Sequence, residues 1–340
     1  MMTLKNRIST LVQLGQYIKE KDTSLLKMME EAYIYNPWFS IKNLHSALEG
    51  IEKNFLNIDA IDNWVAKYNV IENQKKVGLI LAGNIPAVGF HDILCCFIAG
   101  HKSLIKFSEK DRIIIPHLLN VLQKISAHTS EYFEEVDRLK DFDAVIATGS
   151  DNSARYFESY FGKYPHIIRR NRNGIAILEG NETHEELLKL GEDIFQYFGL
   201  GCRNVSKIFI PNDYNFTPLL EALHQFNEIV YHNKYKNNFD YNIALYLINK
   251  LKYLNNGSVI LLEDSRYASR IATVHYEYYL NLEILEKKLE NEAHMVQCVV
   301  SKAKLKNFKT FNFGAAQNPA IDDYADNVDT MKFLTEVSKN

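Results

Sequence analysis

Val77-Gly-Leu-Ile-Leu-Ala82 runs directly into Gly83-Asn84-Ile85-Pro86, and that junction decides the fold. The run is apolar without alternation, the mark of a strand covered on both faces and hence of parallel sheet. Gly83 to Pro86 reads as a turn. Ala87 to Ala99 is apolar on most sides, and Gly100 stands where a helix ends. Ser103-Leu-Ile-Lys-Phe107 reads as a second strand. Strand, helix and strand within about thirty residues make a βαβ unit. Sheets of this kind take ligands at the carboxyl ends of their strands, where Asn84 and Lys106 both fall.

The alternation continues outward from that unit. Asp143 to Ala147 reads as a third strand, followed by Thr148-Gly149-Ser150 and a helix over 152–161. Ile175 to Leu178 reads as a fourth strand. Thr183 opens a helix that carries Glu185 and Glu186 in its first turn, where the dipole favours them. Val205 to Ile210, Val259 to Leu262 and Val296 to Val300 read as further strands, with helices over 218–226, 242–251 and 280–289. Asn312 to Pro319 reads as a loop and Asp322 to Val337 as an acidic helical end. Before Val77 the pattern is helical: Ile8, Leu11, Leu14 and Ile18 recur at helical spacing, and Asn36-Pro37 breaks the run. Strands alternating with helices mean α/β.

Composition narrows the classes. A chain of 340 residues is long for one core, so two lobes are expected. Net charge of −3 with no long basic run leaves no electrostatic footprint for nucleic acid. The most apolar stretch, Val77 to Gly100, contains Asn84, Pro86, His91 and Asp92, which argues against a membrane span. Met1 to Lys21 lacks the apolar core of a signal peptide. Cys95, Cys96, Cys202 and Cys298 are spaced for neither a zinc site nor a disulfide framework. Reduced thiols in a cytoplasmic protein are the expectation.

The chemistry centres on Phe198-Gly-Leu-Gly-Cys-Arg-Asn204. Glycines around Cys202 leave room for another molecule to approach the sulfur. That suits a nucleophile, and it also suits a small residue buried in a tight turn. Asn84 is either an amide donor to a developing oxyanion or a turn residue. Lys106 is either a contact to ribose or phosphate or a solvated lysine. The Gly149-Ser150 turn presents backbone N–H groups that suit phosphate, as many strand-to-helix turns do without binding anything. No G-x-G-x-x-G follows the first strand. Cys95 and Cys96 read as core. His91 and Asp92 read as a hydrogen-bonded pair ahead of a metal site. Arg169 to Arg172 is either an anion site or an ion-pair face, and Tyr276, Tyr278 and Tyr279 read as packing.

Asn84, Lys106, Gly149-Ser150 and Cys202, in this order, resemble the aldehyde dehydrogenase superfamily. Gly83-Asn-Ile-Pro-Ala-Val-Gly-Phe-His-Asp92, Gly100-His-Lys-Ser-Leu-Ile-Lys-Phe-Ser108, Arg170-Asn-Arg-Asn-Gly174 and Gly199-Leu-Gly-Cys-Arg-Asn204 look more specifically like the LuxC-type acyl-CoA reductases. So does Ala316-Gln-Asn-Pro-Ala-Ile-Asp-Asp-Tyr324. The resemblance covers about residues 75 to 212 well, and the N-terminal helices loosely.

It implies an aldehyde dehydrogenase-like fold of two Rossmann-like parallel-sheet lobes with a helical cover. The cover would span 1–74, the cofactor lobe 75–180, the catalytic lobe 181–320 and a helical tail 321–340. It implies an NADPH-dependent reductase of long-chain acyl-CoA or acyl carrier thioesters. Cys202 would be the acyl-accepting nucleophile, and Asn84 with the Cys202 N–H the oxyanion hole. Lys106, Ser108, Gly149 and Ser150 would line the cofactor site. A homo-oligomer or partner acyl-transfer subunits are its expected associates, although Asn73 to Lys76 leaves little room for the hairpin many relatives use in assembly. One departure matters. Hydrolytic members carry a glutamate before the region matching Arg170 to Ile175. This chain reads Tyr164-Pro-His-Ile-Ile-Arg-Arg170, with His166 at about that place and no acid. His166 then reads as a proton donor or as an ordinary loop histidine. Without a base for water, the acyl-enzyme is expected to wait for hydride. The alternative is a cysteine-dependent acyltransferase that needs no cofactor.

Overall fold

The computed structural model describes residues 2–339 and divides into two units. The first unit runs up to Asn171 and takes up the chain again from Pro319. The second is the continuous block Arg172–Asn318.

The first unit opens with helices α1 (Leu4–Glu20), α2 (Thr23–Tyr35), α3 (Ile41–Phe55) and α4 (Ile58–Val65). Each starts on a side-chain cap: Thr3, Asp22, Ser40 and Asn57 accept from backbone N–H groups of the first turn. Such caps contribute about 1 kcal/mol apiece. The sheet follows as β1 (Lys76–Ile80), α5 (Phe90–Ala99), β2 (Lys102–Lys106), α6 (Ile114–Ile125), β3 (Phe133–Glu135), β4 (Ala144–Thr148), α7 (Asp151–Phe161) and β5 (His166–Arg169). All five strands are parallel, in the order β3-β2-β1-β4-β5, with Val77 opposite both Ser103 and Ala144. Val77, Leu79, Ile105, Val145 and Ile146 are buried, as an uninterrupted apolar pattern requires. Gly100 closes α5 at φ +84°, and the His101 N–H returns to Cys96 O at 2.9 Å in a Schellman closure.

The second unit carries β6 (Asn173–Ile177), α8 (His184–Phe195), β7 (Val205–Pro211), α9 (Phe216–His224) and α10 (Asn233–Ile248). It continues with β8 (Tyr253–Asn255), β9 (Ile260–Glu263), β10 (Thr273–Tyr279), α11 (Leu282–Asn291), β11 (Val296–Ser301) and β12 (Thr310–Phe311). Its sheet has the order β12-β11-β6-β7-β10-β9-β8 and is parallel except for β8 against β9. The architecture is α/β with two such sheets and a helical N-terminal segment.

The boundary between the units falls at Asn171 and not at 180, because β6 pairs with β7 and β11 in the second sheet. The C-terminal helix α12 (Thr330–Val337) is not a separate tail. It packs against α5, and buried polar bonds fasten its segment to the first unit. Trp64 Nε1 donates to Tyr324 OH at 2.7 Å, Tyr68 OH donates to Asp329 at 2.9 Å, and Arg169 donates to Thr330 Oγ1 at 2.9 Å. His101 completes the fastening. Its Nδ1 accepts from Lys75 N–H at 3.1 Å, so its Nε2 carries the proton and donates to Leu334 O at 3.1 Å.

Candidate active site

Four of the residues singled out in the sequence gather at one end of the first sheet. Asn84 follows β1, Lys106 ends β2, and Gly149-Ser150 follows β4. These strands are adjacent, and the order of connection reverses between β1 and β4. That reversal opens the crevice where open parallel sheets bind ligands. Half-buried Asn84 lies in the bend beyond the strand. Ser150 caps α7, accepting from Ser153 N–H at 3.3 Å. Gly149 has no room for a side chain, since a Cβ would stand 2.8 Å from both Phe157 and Ser153.

A cavity of about 560 Å³ opens beside Lys106. Ile80, Leu139, Tyr156, Phe157 and Tyr160 give it largely apolar walls, and Lys106, Arg138 and Lys163 add cations to the lining. Volume and lining suit a flat aromatic base with an anionic or hydroxyl-rich neighbour. The residues present therefore fit the adenosine end of a dinucleotide. Tyr156 and Tyr160 were not read from the sequence as site residues. Their signal was available: two tyrosines one helical turn apart on the helix that follows Gly149-Ser150.

His166 is not brought to this end. It starts β5, opposite Val145 near the start of β4, whereas Thr148 at the far end pairs with Arg169. It is exposed, and its Nδ1 is bonded to Tyr164 O at 2.8 Å. Parallel strands put their starts at the end away from the ligand crevice, so His166 lies at the opposite end of the sheet from Asn84, Lys106 and Gly149. The carboxyl end of β5 carries Arg169 and Arg170. Arg169 is buried on Asp92 at 2.6 Å, and Arg170 pairs with Glu158 at 2.5 Å. The arginine cluster is to that extent an ion-pair face. His91 and Asp92 do not pair with each other: His91 Nε2 meets Ile321 O at 2.7 Å, and Asp92 takes Arg169.

In the second unit Cys202 lies on the turn between α8 and β7 and is exposed. Cys95, Cys96 and Cys298 are buried. Burial pushes the thiols of Cys95 and Cys96 far up, so they stay protonated and inert. The approach to Cys202 is a sharp reversal: Tyr197, Phe198 and Gly199 stand at φ +54°, +58° and +74° in succession. Only glycine takes that region without cost, so Tyr197 and Phe198 store strain of about 1 kcal/mol or more each. They are held by burial, and Phe198 packs on His232 with ring centroids 4.3 Å apart.

Asn204 fixes the turn. Its Oδ1 accepts the Gly201 N–H at 2.8 Å, and its Nδ2 donates to Asp193 O at 2.9 Å and Gln196 O at 2.8 Å, closing the end of α8. Asp193 carries the grip to the loop before Pro319, accepting Gly314 N–H at 2.7 Å and Ala316 N–H at 2.9 Å. Burial pushes its carboxyl up to about 6, against those two hydrogen bonds. Gly174 on β6 admits the turn, since a Cβ there would lie 2.5 Å from Arg203 O. Asn204 and Asp193 escaped the sequence reading because their roles rest on partners the sequence does not place beside them.

No protein-family model matches the chain, and no curated protein matches it in sequence. Solved structures do match in fold. Aldehyde dehydrogenase 21 from Physcomitrella patens, in complex with the reaction product succinate, superposes with a TM-score of 0.72 at 11% identity, over 99% of this chain and 84% of that one. An aldehyde dehydrogenase from Bacillus cereus, as its NAD+ complex, gives 0.65 at 12%, over 90% and 73%. An NADP-dependent enzyme from E. coli gives 0.62 at 12%, over 90% and 74%. The chain has the aldehyde dehydrogenase fold.

Proposed function

We propose that this chain is an NADPH-dependent acyl-thioester reductase. It takes a long-chain fatty acyl group from coenzyme A or an acyl carrier onto Cys202 and releases it as the aldehyde. The observation that carries the reading is the Cys202 turn, an exposed thiol on a strained reversal pinned by Asn204 and Asp193. A structural cysteine needs neither exposure nor a rigid mount, whereas a nucleophile needs both.

The Cys202 thiolate adds to the thioester carbonyl, and the Asn84 amide donates to the oxygen as it becomes charged. Collapse breaks the carbon–sulfur bond to the carrier, which leaves as its thiol after taking a proton, and the acyl group stays on Cys202. Reduced dinucleotide, when bound, supplies a hydride to that acyl carbon. Lys106, Ser108, Tyr156 and Tyr160 would hold its adenosine end, and Gly149 with Ser150 its phosphates. Lys106 would favour a 2′-phosphate. Collapse of the reduced adduct then frees the aldehyde and restores the thiol. Water competes poorly for the acyl-enzyme on this reading, because the stretch matching the glutamate of hydrolytic members, Tyr164 to Arg170, holds no acid.

Intact-mass measurement after incubation with acyl-CoA alone tests the reading. The expected result is a single acyl adduct on Cys202 that NADPH discharges as aldehyde. An unmodified Cys202 across several chain lengths would falsify it. An adduct that passes to another thiol or an amine, with no NADPH oxidation, would mark the acyltransferase alternative.

A further inference from the structure

Two separate segments of the first unit meet at one buried carboxyl. Asp111 lies in the bend between β2 and α6 and is only 2% exposed. Its backbone N–H donates to Ser108 O at 3.1 Å, and Ser108 Oγ accepts from Lys110 N–H at 3.3 Å, so the bend is bonded within itself. Its side chain reaches back to the other segment, where Ala87 N–H donates to Oδ2 at 2.8 Å. Oδ1 is buried with no hydrogen-bond partner.

The segment it reaches is the turn that carries Asn84. At the near end of that turn a Cβ on Gly83 would lie 2.5 Å from Ser108 Oγ and 3.3 Å from Asp111 Cβ, so only glycine lets the two segments close. At the far end Ala87 stands at φ +54°, a conformation that costs a residue with a Cβ about 1 kcal/mol. Ala87 O also accepts the Phe90 N–H at 3.0 Å at the start of α5. Asn84 is thus suspended between two points, and both rest on the bend at Ser108 and Asp111.

A carboxyl is a costly choice for a buried turn. Burial pushes that of Asp111 up to about 6, against the pull of the Ala87 N–H and, more weakly, of the Ile114 N–H that opens α6. A neutral residue in the bend would avoid that cost. What the carboxyl adds is a strong acceptor for the Ala87 N–H, 24 residues earlier in the chain.

We propose that Asp111 is a positioning residue for Asn84. It holds the Gly83–Ala87 turn in one conformation, so that the Asn84 amide meets the thioester oxygen in one orientation. The assignment rests on the thioester reading above. The bend that holds the turn also carries Ser108 and follows Lys106, so the oxyanion donor and the adenosine contacts share one support.

The test compares Asp111→Ala, which removes the acceptor, with Asp111→Asn, which keeps one at the same reach. The rate of acyl transfer to Cys202 is measured without NADPH, in the wild-type and Asn84→Ala backgrounds. Asp111→Ala is expected to slow acylation about 100-fold, as a small misplacement of a catalytic donor does. Asp111→Asn should stay within a few-fold of wild type. In the Asn84→Ala background Asp111→Ala should cost nothing further, because a residue that acts through Asn84 has nothing left to position. Amide hydrogen exchange gives a second readout that needs no activity: Ala87 should lose protection in Asp111→Ala and keep it in Asp111→Asn. Unchanged Ala87 exchange, unimpaired acylation by Asp111→Ala, or an equal loss in the Asn84→Ala background each overturns the proposal. A wild-type protein that forms no acyl adduct would sink the thioester reading itself, which is a different result from an acylating wild type that ignores Asp111.

Discussion

The Asn84 turn and the Cys202 turn are built on one device to different strengths. Each relies on a buried aspartate that accepts backbone N–H groups, Asp111 in the first unit and Asp193 in the second. At Asn84 the carboxyl takes the Ala87 N–H at 2.8 Å, with a weaker contribution from the Ile114 N–H at the start of α6. At Cys202 the carboxyl takes two, and Asn204 adds four more from the other side. The stronger support goes with the greater strain, since Tyr197 and Phe198 both stand in the left-handed region against Ala87 alone.

The sharpest way to break this comparison is to remove the Cys202 thiol. Cys202→Ala should abolish acyl-adduct formation and NADPH oxidation and leave the melting temperature within about 1 °C, since an exposed side chain contributes little to stability. A large fall in melting temperature would mean that Cys202 is structural. Next is Asn204→Ala, which leaves the Gly201 N–H and the last carbonyls of α8 without their partner. Unsatisfied buried groups cost about 1–3 kcal/mol each, so a loss of about 4 kcal/mol is expected in denaturant unfolding. A loss under about 1 kcal/mol would show that the Cys202 turn is held by other means.

The two aspartates also set a pH dependence. Both carboxyls are raised to about 6 from an ordinary 3.8, so the folded chain binds their protons more tightly than the unfolded chain. Their contribution to stability is fully present below pH about 3.8 and is lost as pH rises through about 6. At about 1.4 kcal/mol per tenfold change in proton affinity, each accounts for a difference on the order of 3 kcal/mol. Unfolding midpoints of wild type and Asp111→Asn should therefore diverge between pH 4 and 7, with the variant flatter. Parallel curves would show that Asp111 does not titrate in that window. The smallest effect expected is at the rim of the cavity. Lys106→Ala should weaken NADPH binding about tenfold, equivalent to about 1.4 kcal/mol, with a lesser effect on NADH in the same fluorescence titration. Equal losses for both would leave the 2′-phosphate contact unsupported.

Much of the fold was legible because apolar runs declare buried parallel strands whatever lies around them. β1, β2, β4 and β7 were read within a residue or two of their ends. β3 and β5 were missed, because they are short edge strands bearing Glu134, Glu135, His166 and Arg169, and edge strands carry charge that masks the pattern. β10 was missed for another reason: Tyr276, Tyr278 and Tyr279 were read as packing, although the surrounding Thr273-Val-His-Tyr-Glu-Tyr-Tyr279 is dense in the β-branched and aromatic residues that form strands. Within the candidate site, Asn84, Lys106 and Gly149 could be placed because strand ends can be placed. Asp111, Asp193 and Asn204 could not, because a side chain that grips backbone has no sequence signature until the backbone it grips is known. The boundary at Asn171 was hidden in the same way, since nothing in β6 says which sheet it joins.

The return of the chain to the first unit orders events in time. Trp64, His101 and Arg169 each bond to a residue beyond the whole of the second unit: Tyr324, Leu334 and Thr330. During synthesis the block Arg172–Asn318 leaves the ribosome complete, while the first unit still lacks α12 and exposes the face of α5 that α12 covers. The second unit is therefore able to mature first, and the βαβ unit from which the fold was read is the last part of the molecule to be sealed.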